Sequence, residues 1–498
     1  MSASDALQMV NRLYARLNGR RPDFDLRERY YEGEQPLSFA TEEWKKANAA
    51  RYVGFSDNWS RPVVDAEAER LRYTGVKLDQ NLFGDAAKKL HEQWLLNEMD
   101  MQSSQGFVTT LTTSRSYVIV WADPVTQEPT ISWEHGADVE IEYDWADSRR
   151  RTAALKTWAD NDLEYATLYT PAWVWKFERP RSSGKTQESS QTDQAKVRHA
   201  NSTGGWTPRE VFNEPWPLLN PLGVVPVVEI PNRPTLKGDP ISEIQGVIPM
   251  QDAVNLMWAY LFVAADYASM DARVITGQEP PKMPILDANG VKIGDRPVDM
   301  KDLQEKRFLW LTGENAKIDS FPAARLDQFT AVIDKAVGHI AAQTRTPPTY
   351  LVTTVGMSNV NGEGLKASEI GLVKKSLEFQ SFASPAIREV YRLVALVQGD
   401  VSLAKAAKLA TITWANPEIR SEAQLADALL KKKQLGYPLK YLMEIDGLDP
   451  LEIERVMGMV EEELNDPQLA AAMRGLDDSS SVSGAVPEAA ADSGDDGS

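Results

Sequence analysis

The run Ala253–Ala265 (AVNLMWAYLFVAA), bracketed by Asp252 and Asp266, constrains this chain more than any other stretch. It falls well short of the roughly 20 apolar residues that a bilayer span requires, so it is not read as a membrane anchor. A helix apolar on nearly every side must be enclosed by protein, either by a large core or by neighbouring subunits. Upstream, Asp239-Pro240 supplies an N-cap and a first-turn proline. The spacing therefore predicts a helix from there to Ser269, kinked at Gly246 and Pro249 and about 30 Å long in its main part. A second apolar rod follows, with Phe329, Val332, Ile333, Ala336, Val337, Ile340 and Ala341 at helical spacing and Pro347-Pro348 as its stop.

Between the rods, Asn289-Gly290 is a hairpin-turn signal flanked by Ile285 and Leu286 on one side and Val291 and Ile293 on the other. A small β-containing module is thus inserted between two long helices. Helices open the chain over Ala3–Leu17 and Pro62–Arg72. From Tyr117 the pattern changes to short β-branched and aromatic runs: Tyr117–Trp121, Val139–Tyr143, Ala154–Trp158, Tyr165–Tyr169 and Trp173–Phe177, read as an antiparallel meander. The polar stretch Arg179–Pro208 is expected to be a mobile surface loop. Thr349–Gly364 is polar and glycine-bearing, and Leu365–Val397 reads as one long helix with a possible bend at Ser384-Pro385. Helical segments over Glu418–Leu464 are divided by Gly436-Tyr437-Pro438 and by Gly447–Pro450, and the acidic tail beyond Arg474 is expected to be disordered.

Composition narrows the chemistry. The 498 residues carry a formal net charge of -18, no cysteine and four histidines, so thiol nucleophiles, disulfides and thiolate metal sites are excluded. His91, His135, His199 and His339 are scattered, which makes them ordinary core or surface residues rather than a metal or catalytic set. There is no phosphate loop of the G-x-x-x-x-G-K-[ST] kind; Gly362-Glu363-Gly364-Leu365-Lys366 lacks its spacing. No zinc-peptidase, nucleophile-elbow or calcium-loop motif occurs, and pairs such as Glu42-Glu43 and Asp477-Asp478 sit in polar surroundings where both groups ionise. Trp158, Trp173 and Trp175 lie in alternating strands and are expected to be core residues. The N-terminus carries no basic flank followed by an apolar stretch, so no secretory signal is expected. A strongly acidic chain is a poor tight binder of nucleic acid; it does not argue against a conduit through which DNA slides, and the sign of charge does not separate the two cases.

The order of parts is a β-rich region, an apolar rod, a hairpin module, a second rod, a polar loop, a long helix and a helical end. It resembles the phage portal fold. The chain is also similar to the SPP1-type portal family through Tyr30–Leu37, Asn58, Val63–Ala66, Glu69–Leu71, Gly238–Ile244, Gln251–Asn255 and Thr344–Pro348. Where such proteins often carry a Ser-Gly-Glu-Ala-Leu type junction, this chain has Asn361-Gly362-Glu363-Gly364-Leu365, and the second glycine loosens the helix start.

The resemblance implies an α+β fold divided into a wing (1–238, with the mobile loop 179–208), a first stem helix (239–269), a small α/β clip (270–325), a second stem helix (326–348), a tunnel loop (349–364), a long connecting helix (365–400), a helical crown (401–474) and the tail (475–498). It implies no catalytic centre, metal or cofactor. It implies a virion location at one capsid vertex, after assembly in the host bacterial cytoplasm, as a homo-oligomeric ring commonly of about twelve copies. Double-stranded DNA would pass through its axis; the terminase large subunit, the head-tail adaptor, and the major capsid and scaffolding proteins would be partners, with no membrane. Thr353, Thr354, Ser358, Asn359, Asn361 and Lys366 would line the channel. Val254, Met257, Trp258, Leu261, Phe262, Phe329, Val332, Ile333, Val337 and Ile340 would form the stem interface between subunits. Gln278, Glu279, Lys282, Asp287, Asn289, Lys292 and Arg296 would meet terminase and adaptor. A head-tail adaptor or minor capsid protein is the nearest alternative, and a packaging nuclease or NTPase a weaker one.

Overall fold

The computed structural model describes residues 1–35, 55–78, 85–160, 162–180, 205–269, 273–276, 282–286, 290–297, 308–311, 317–320, 325–351, 362–418 and 422–465. Helix α1 (Ala3–Glu32) is started by a capping box, in which Asp5 N–H donates to Ser2 Oγ at 3.2 Å and Ser2 N–H to Asp5 Oδ2 at 2.9 Å, and Gly33 ends it in the left-handed region. Its buried residues Ala6, Val10, Leu13, Leu17, Phe24 and Tyr30 recur at helical spacing. The helix outruns the expected Leu17 because Arg21 turns inward, donating from Nε to the Ala137 carbonyl and from Nη2 to Thr157 Oγ1, both at 2.9 Å. Tertiary hydrogen bonds thus extend an element that the apolar pattern alone would stop.

Helix α2 (Ser60–Ala68), strand β1 (Tyr73–Lys77), helices α3 (Ala86–Leu96) and α4 (Met99–Thr113), and strands β2 (Arg115–Ala122) and β3 (Pro129–Glu134) follow. Next come β4 (Val139–Tyr143), β5 (Arg151–Ala159), β6 (Leu163–Tyr169), β7 (Trp173–Pro180), β8 (Thr207–Pro208), β9 (Leu218–Leu219) and β10 (Val227–Pro231). The strands β4-β5-β6-β7-β8 form an antiparallel meander with β9 also on β7, as the alternation predicts. The run at Tyr117 belongs elsewhere: β2 sits between β10 and β3 in a separate antiparallel sheet. Of the three tryptophans expected inside, Trp175 is buried at 3 %, but Trp158 is 38 % exposed, stacked on its cross-strand partner Tyr165 with ring centroids 5.4 Å apart. The outer face of a one-sided sheet accounts for that correction. Most of the expected mobile loop, residues 181–204, lies outside the described residues.

Helix α5 (Ile248–Ser269) precedes β11 (Arg273–Thr276), β12 (Lys282–Leu286), β13 (Lys292–Pro297), β14 (Phe308–Leu311) and β15 (Lys317–Ser320). Asp239-Pro240 does not start α5. Asp239 instead pairs with Arg115 at 2.5 Å, and the chain beyond it is tied down by Ile241 N–H to the Asn232 carbonyl at 3.0 Å and Glu243 N–H to the Leu111 carbonyl at 2.9 Å. Those bonds keep 240–242 out of a helix, a turn over 243–247 follows in which Val247 N–H donates to the Ile244 carbonyl at 2.9 Å, and the helix begins at Ile248. The hairpin signal holds: β12 and β13 pair antiparallel around Gly290, whose φ of +81° is the left-handed value such a turn demands.

Helix α6 (Leu326–Thr344), the short α7 (Pro348–Leu351), α8 (Gly362–Val397), α9 (Val401–Ala407), β16 (Thr411–Trp414), α10 (Glu422–Gln434), α11 (Leu439–Asp446) and α12 (Pro450–Asn465) complete the order. The long helix begins at Gly362 rather than Leu365 and carries Pro385 inside it, with Ser384 Oγ donating to the Gln380 carbonyl at 2.6 Å. Its buried stripe of Phe379, Ala383, Ile387, Val390, Tyr391 and Val394 runs through the largest core, with Leu372 buried about two turns earlier on the same side. That core gathers α2, α3, α4, β2, β10, α5, α6, α9 and β16 around α8. Burying each large apolar side chain of this stripe contributes roughly 1.5–3 kcal/mol. Residues 401–414 are part of it rather than of a separate end domain, because β16 pairs antiparallel with β1, far away in sequence.

Candidate functional site

The stem expectation rests on α5 and α6, which pack against each other. Val254, Ile333, Val337 and Ile340 are all buried at 4 % exposure or less, but inside this chain's own core. Met257, Trp258, Leu261, Phe262 and Phe329 are half-buried, and Tyr260 (44 %) and Val332 (49 %) are open. Trp258 Nε1 donates to Asp57 Oδ2 at 2.7 Å, and its ring lies 5.7 Å from that of Phe262. One face of each rod is therefore covered by the protomer and the other is available. The burial the sequence demanded is divided between core and surface.

The channel-loop residues Thr353, Thr354, Ser358, Asn359 and Asn361 lie outside the described residues, and Lys366 is described only as a position on α8. The base of that loop is well defined. Helix α6 ends with Arg345 in the left-handed region, and Thr346 N–H donates to the Ala341 carbonyl at 3.0 Å. Arg70 donates from Nη2 to Tyr350 Oη at 2.9 Å and from Nη1 to the Pro417 carbonyl at 2.7 Å, with the Glu369 carboxylate 3.5 Å away. Gly371 of α8 faces the end of α6: a Cβ there would lie 3.4 Å from the Arg345 carbonyl oxygen and Cβ, an ordinary van der Waals contact.

Beneath this base sits a charge cluster that the sequence reading missed. Lys375 Nζ is 3.0 Å from Glu67 Oε2 and 2.9 Å from Glu243 Oε2, with all three side chains 1 % exposed, and it donates to the Thr344 carbonyl at 3.2 Å. Arg233 Nε stands 3.2 Å from Glu243 Oε1, to which Asn232 Nδ2 also donates at 3.1 Å. Burial pushes the Glu67 carboxyl up to about 7, against the pull of Lys375. Burial acts on Glu243 in the same direction, but Lys375 and Arg233 together outweigh it and hold that carboxyl below its ordinary range. The available signal was Lys375 lying three residues after Leu372 and four before Phe379, which puts a lysine on the buried stripe.

Of the clip residues, Lys282, Lys292 and Arg296 are exposed on the β12–β13 hairpin, and Lys292 Nζ pairs with Asp295 at 2.7 Å. Gln278, Glu279, Asp287 and Asn289 lie outside the described residues. The hairpin also exposes Met283, Ile285, Leu286, Val291 and Ile293. Among the described residues, no group of three or more His, Asp or Glu side chains is arranged to hold a metal ion, and no helix is long and apolar enough to cross a membrane. His91 is buried, His135 Nε2 lies 2.6 Å from Glu28, His339 is exposed and His199 is outside the described residues. A cleft of about 640 Å³ is lined by Arg149, Arg150, Arg151, Arg392 and Lys408, yet Arg151 and Arg392 both engage Glu389 and the first two face Asp147 and Asp144.

The family described as "Phage portal protein, SPP1 Gp6-like" matches residues 11–459. The portal protein of Mycobacterium phage D29 is 26 % identical over 435 residues, covering 80 % of each chain. That of Mycobacterium phage L5 is 27 % identical over 439 residues, covering 80 % of this chain and 79 % of its own. Among solved structures, a chain from the neck of a native gene transfer agent particle covers 83 % of this chain and 95 % of its own at 12 % identity, with a TM-score of 0.41.

Proposed function

Since this chain belongs to the SPP1 Gp6-like family of phage portal proteins, we propose that it works as one subunit of a ring, at one vertex of a tailed-phage capsid, through which the genome is packaged and ejected. The family match over residues 11–459 carries this reading. It is supported by the helix pair α5 and α6, which buries one face in the protomer and leaves Tyr260 and Val332 open, as a closed ring of like subunits needs. The ring would hold about twelve copies. The loop between α7 and α8, with Thr353, Thr354, Ser358, Asn359 and Asn361, would face the DNA, and these uncharged groups would touch phosphates weakly.

The β12–β13 hairpin exposes Met283, Ile285, Leu286, Val291 and Ile293, apolar side chains grouped as at a protein contact surface. It is the proposed seat for the terminase large subunit during packaging and for the head-tail adaptor afterwards; capsid and scaffolding proteins would meet the wing. Packaging energy would come from the terminase, and the portal itself would perform no chemistry.

Negative-stain images of the purified full chain are expected to show rings with a central hole. Deleting Met357–Asn361 is expected to leave those rings intact while lowering the fraction of particles that package and retain DNA. A lone protomer under all assembly conditions, or wild-type packaging by the deletion, would remove the ring or the loop assignment respectively.

A further inference from the structure

Four separate stretches converge on one ammonium. Helix α2 contributes Glu67, the segment leading into α5 contributes Glu243, the last residue of α6 contributes the Thr344 carbonyl, and α8 contributes Lys375 itself. Burying two carboxylates and an ammonium is an inefficient way to gain stability, since apolar side chains of similar volume often do as well or better. What such a cluster does impose is a single arrangement, because breaking any one pair leaves an uncompensated buried charge. Here that arrangement joins the two helices that bracket residues 345–361. Gly371 of α8 lies against the end of α6, and Arg70 ties α7 to α8 through Tyr350 and Glu369.

We propose that Lys375 is a positioning residue that fastens the end of α6 and the body of α8 to the segment leading into the first stem helix, and that the carboxyl of Glu67 tunes the grip by gaining or losing a proton. The cluster is built unevenly. Glu243 receives Lys375, Arg233 and Asn232, so it stays ionised and anchors the ammonium. Glu67 has Lys375 as its cationic neighbour by distance, but neither of its carboxylate oxygens accepts a well-aligned hydrogen bond, and Glu243 repels it across the shared cation. The charged groups acting on Glu67 are thus Lys375 from α8 and Glu243 and Arg233 from the segment before α5.

The sign follows from linkage. Glu67 titrates near 7 in the folded chain against 4.5 in the unfolded one, so its stabilising contribution is complete below 4.5 and lost as pH rises through about 7. When Glu67 is protonated, Lys375 serves Glu243 and the Thr344 carbonyl alone. When it is ionised, a second desolvated carboxylate competes for the same ammonium. The loop base therefore opens more often at alkaline pH. That the loop faces DNA rests on the function proposed above; the fastening of α6 and α8 by Lys375 does not.

Hydrogen exchange on the assembled full chain tests this, read on peptides covering 345–351 and 362–375 at pH 6 and pH 8 after correction for the intrinsic rate. The wild-type opening population is expected to rise roughly three-fold or more between those pH values. In Glu67→Gln it should stay flat and low. In Lys375→Met it should be raised about a hundred-fold or more at both pH values, with Lys375→Arg recovering part of the protection. Identical pH profiles for wild type and Glu67→Gln would overturn the proposal, as would unchanged protection in Lys375→Met. If Lys375→Met does not fold, the comparison of wild type with Glu67→Gln decides alone. A flattened profile in Glu67→Gln, alongside normal DNA retention when 357–361 are deleted, would keep the latch and discard the channel assignment.

Discussion

At the scale of single residues, Gly106 shows how little room the largest core leaves. A Cβ built there would lie 2.0 Å from Trp133 Cε2. The indole cannot swing aside, because its Nε1 donates to Ser116 Oγ at 2.8 Å and its ring meets Phe107 edge-on at 5.3 Å. Gly106→Ala is therefore expected to destabilise the protomer by about 1–3 kcal/mol through overpacking, despite the better helix propensity of alanine. A urea midpoint equal to that of the wild type would show that Trp133 yields freely. Neither Gly106 nor Lys375 announces itself in the sequence, since each is an unremarkable member of a helix until the element packed against it is known. Trp158 misleads for the same reason: alternation places it on one side of a strand, but which side is wet depends on what covers the sheet.

Elements were far more legible than their partners. The two rods, the hairpin at Gly290, the meander strands from Val139 and the breaks at Gly436 and Gly447 all follow from periodicity and turn chemistry, which are local. The pairing of β1 with β16 is not local, and no pattern in Tyr73–Lys77 points to Thr411–Trp414. The rods carry their own test of how burial is shared. Val332 and Val337 both lie on the apolar stripe of α6, yet Val332 is 49 % exposed and Val337 is 2 % exposed. Val337→Asp would strand a charge in the protomer core, at a cost of several kcal/mol or a forced protonation, and is expected to unfold the chain. Val332→Asp should leave circular dichroism and thermal midpoint near wild type while blocking ring formation, as should Leu261→Asp on the facing rod. Rings of normal size from Val332→Asp, seen by light scattering, would take this face out of the subunit contact.

For the whole molecule, charge decides what kind of channel it can be. The chain carries 54 Lys and Arg against 72 Asp and Glu, and several of its buried guanidiniums are already committed. Arg179 is held by Glu164 at 2.6 Å, Arg115 by Glu229 at 3.1 Å and Asp239 at 2.5 Å, and Arg392 by Glu389 at 2.5 Å. Tight binding to a duplex requires cations free to displace counterions, with the observed constant falling steeply as salt rises, by a power of about 0.9 for each phosphate neutralised. Among the described residues these guanidiniums are not free to do so, and on the function proposed above a neutral or repulsive wall would keep a moving duplex from sticking. Purified rings are accordingly expected to retain no double-stranded DNA in filter binding at roughly 50 mM salt, with little change in that result on raising the salt to roughly 200 mM. Strong retention that falls by orders of magnitude over the same range would mean that basic side chains line the passage, and that DNA is gripped by the ring instead of sliding through it.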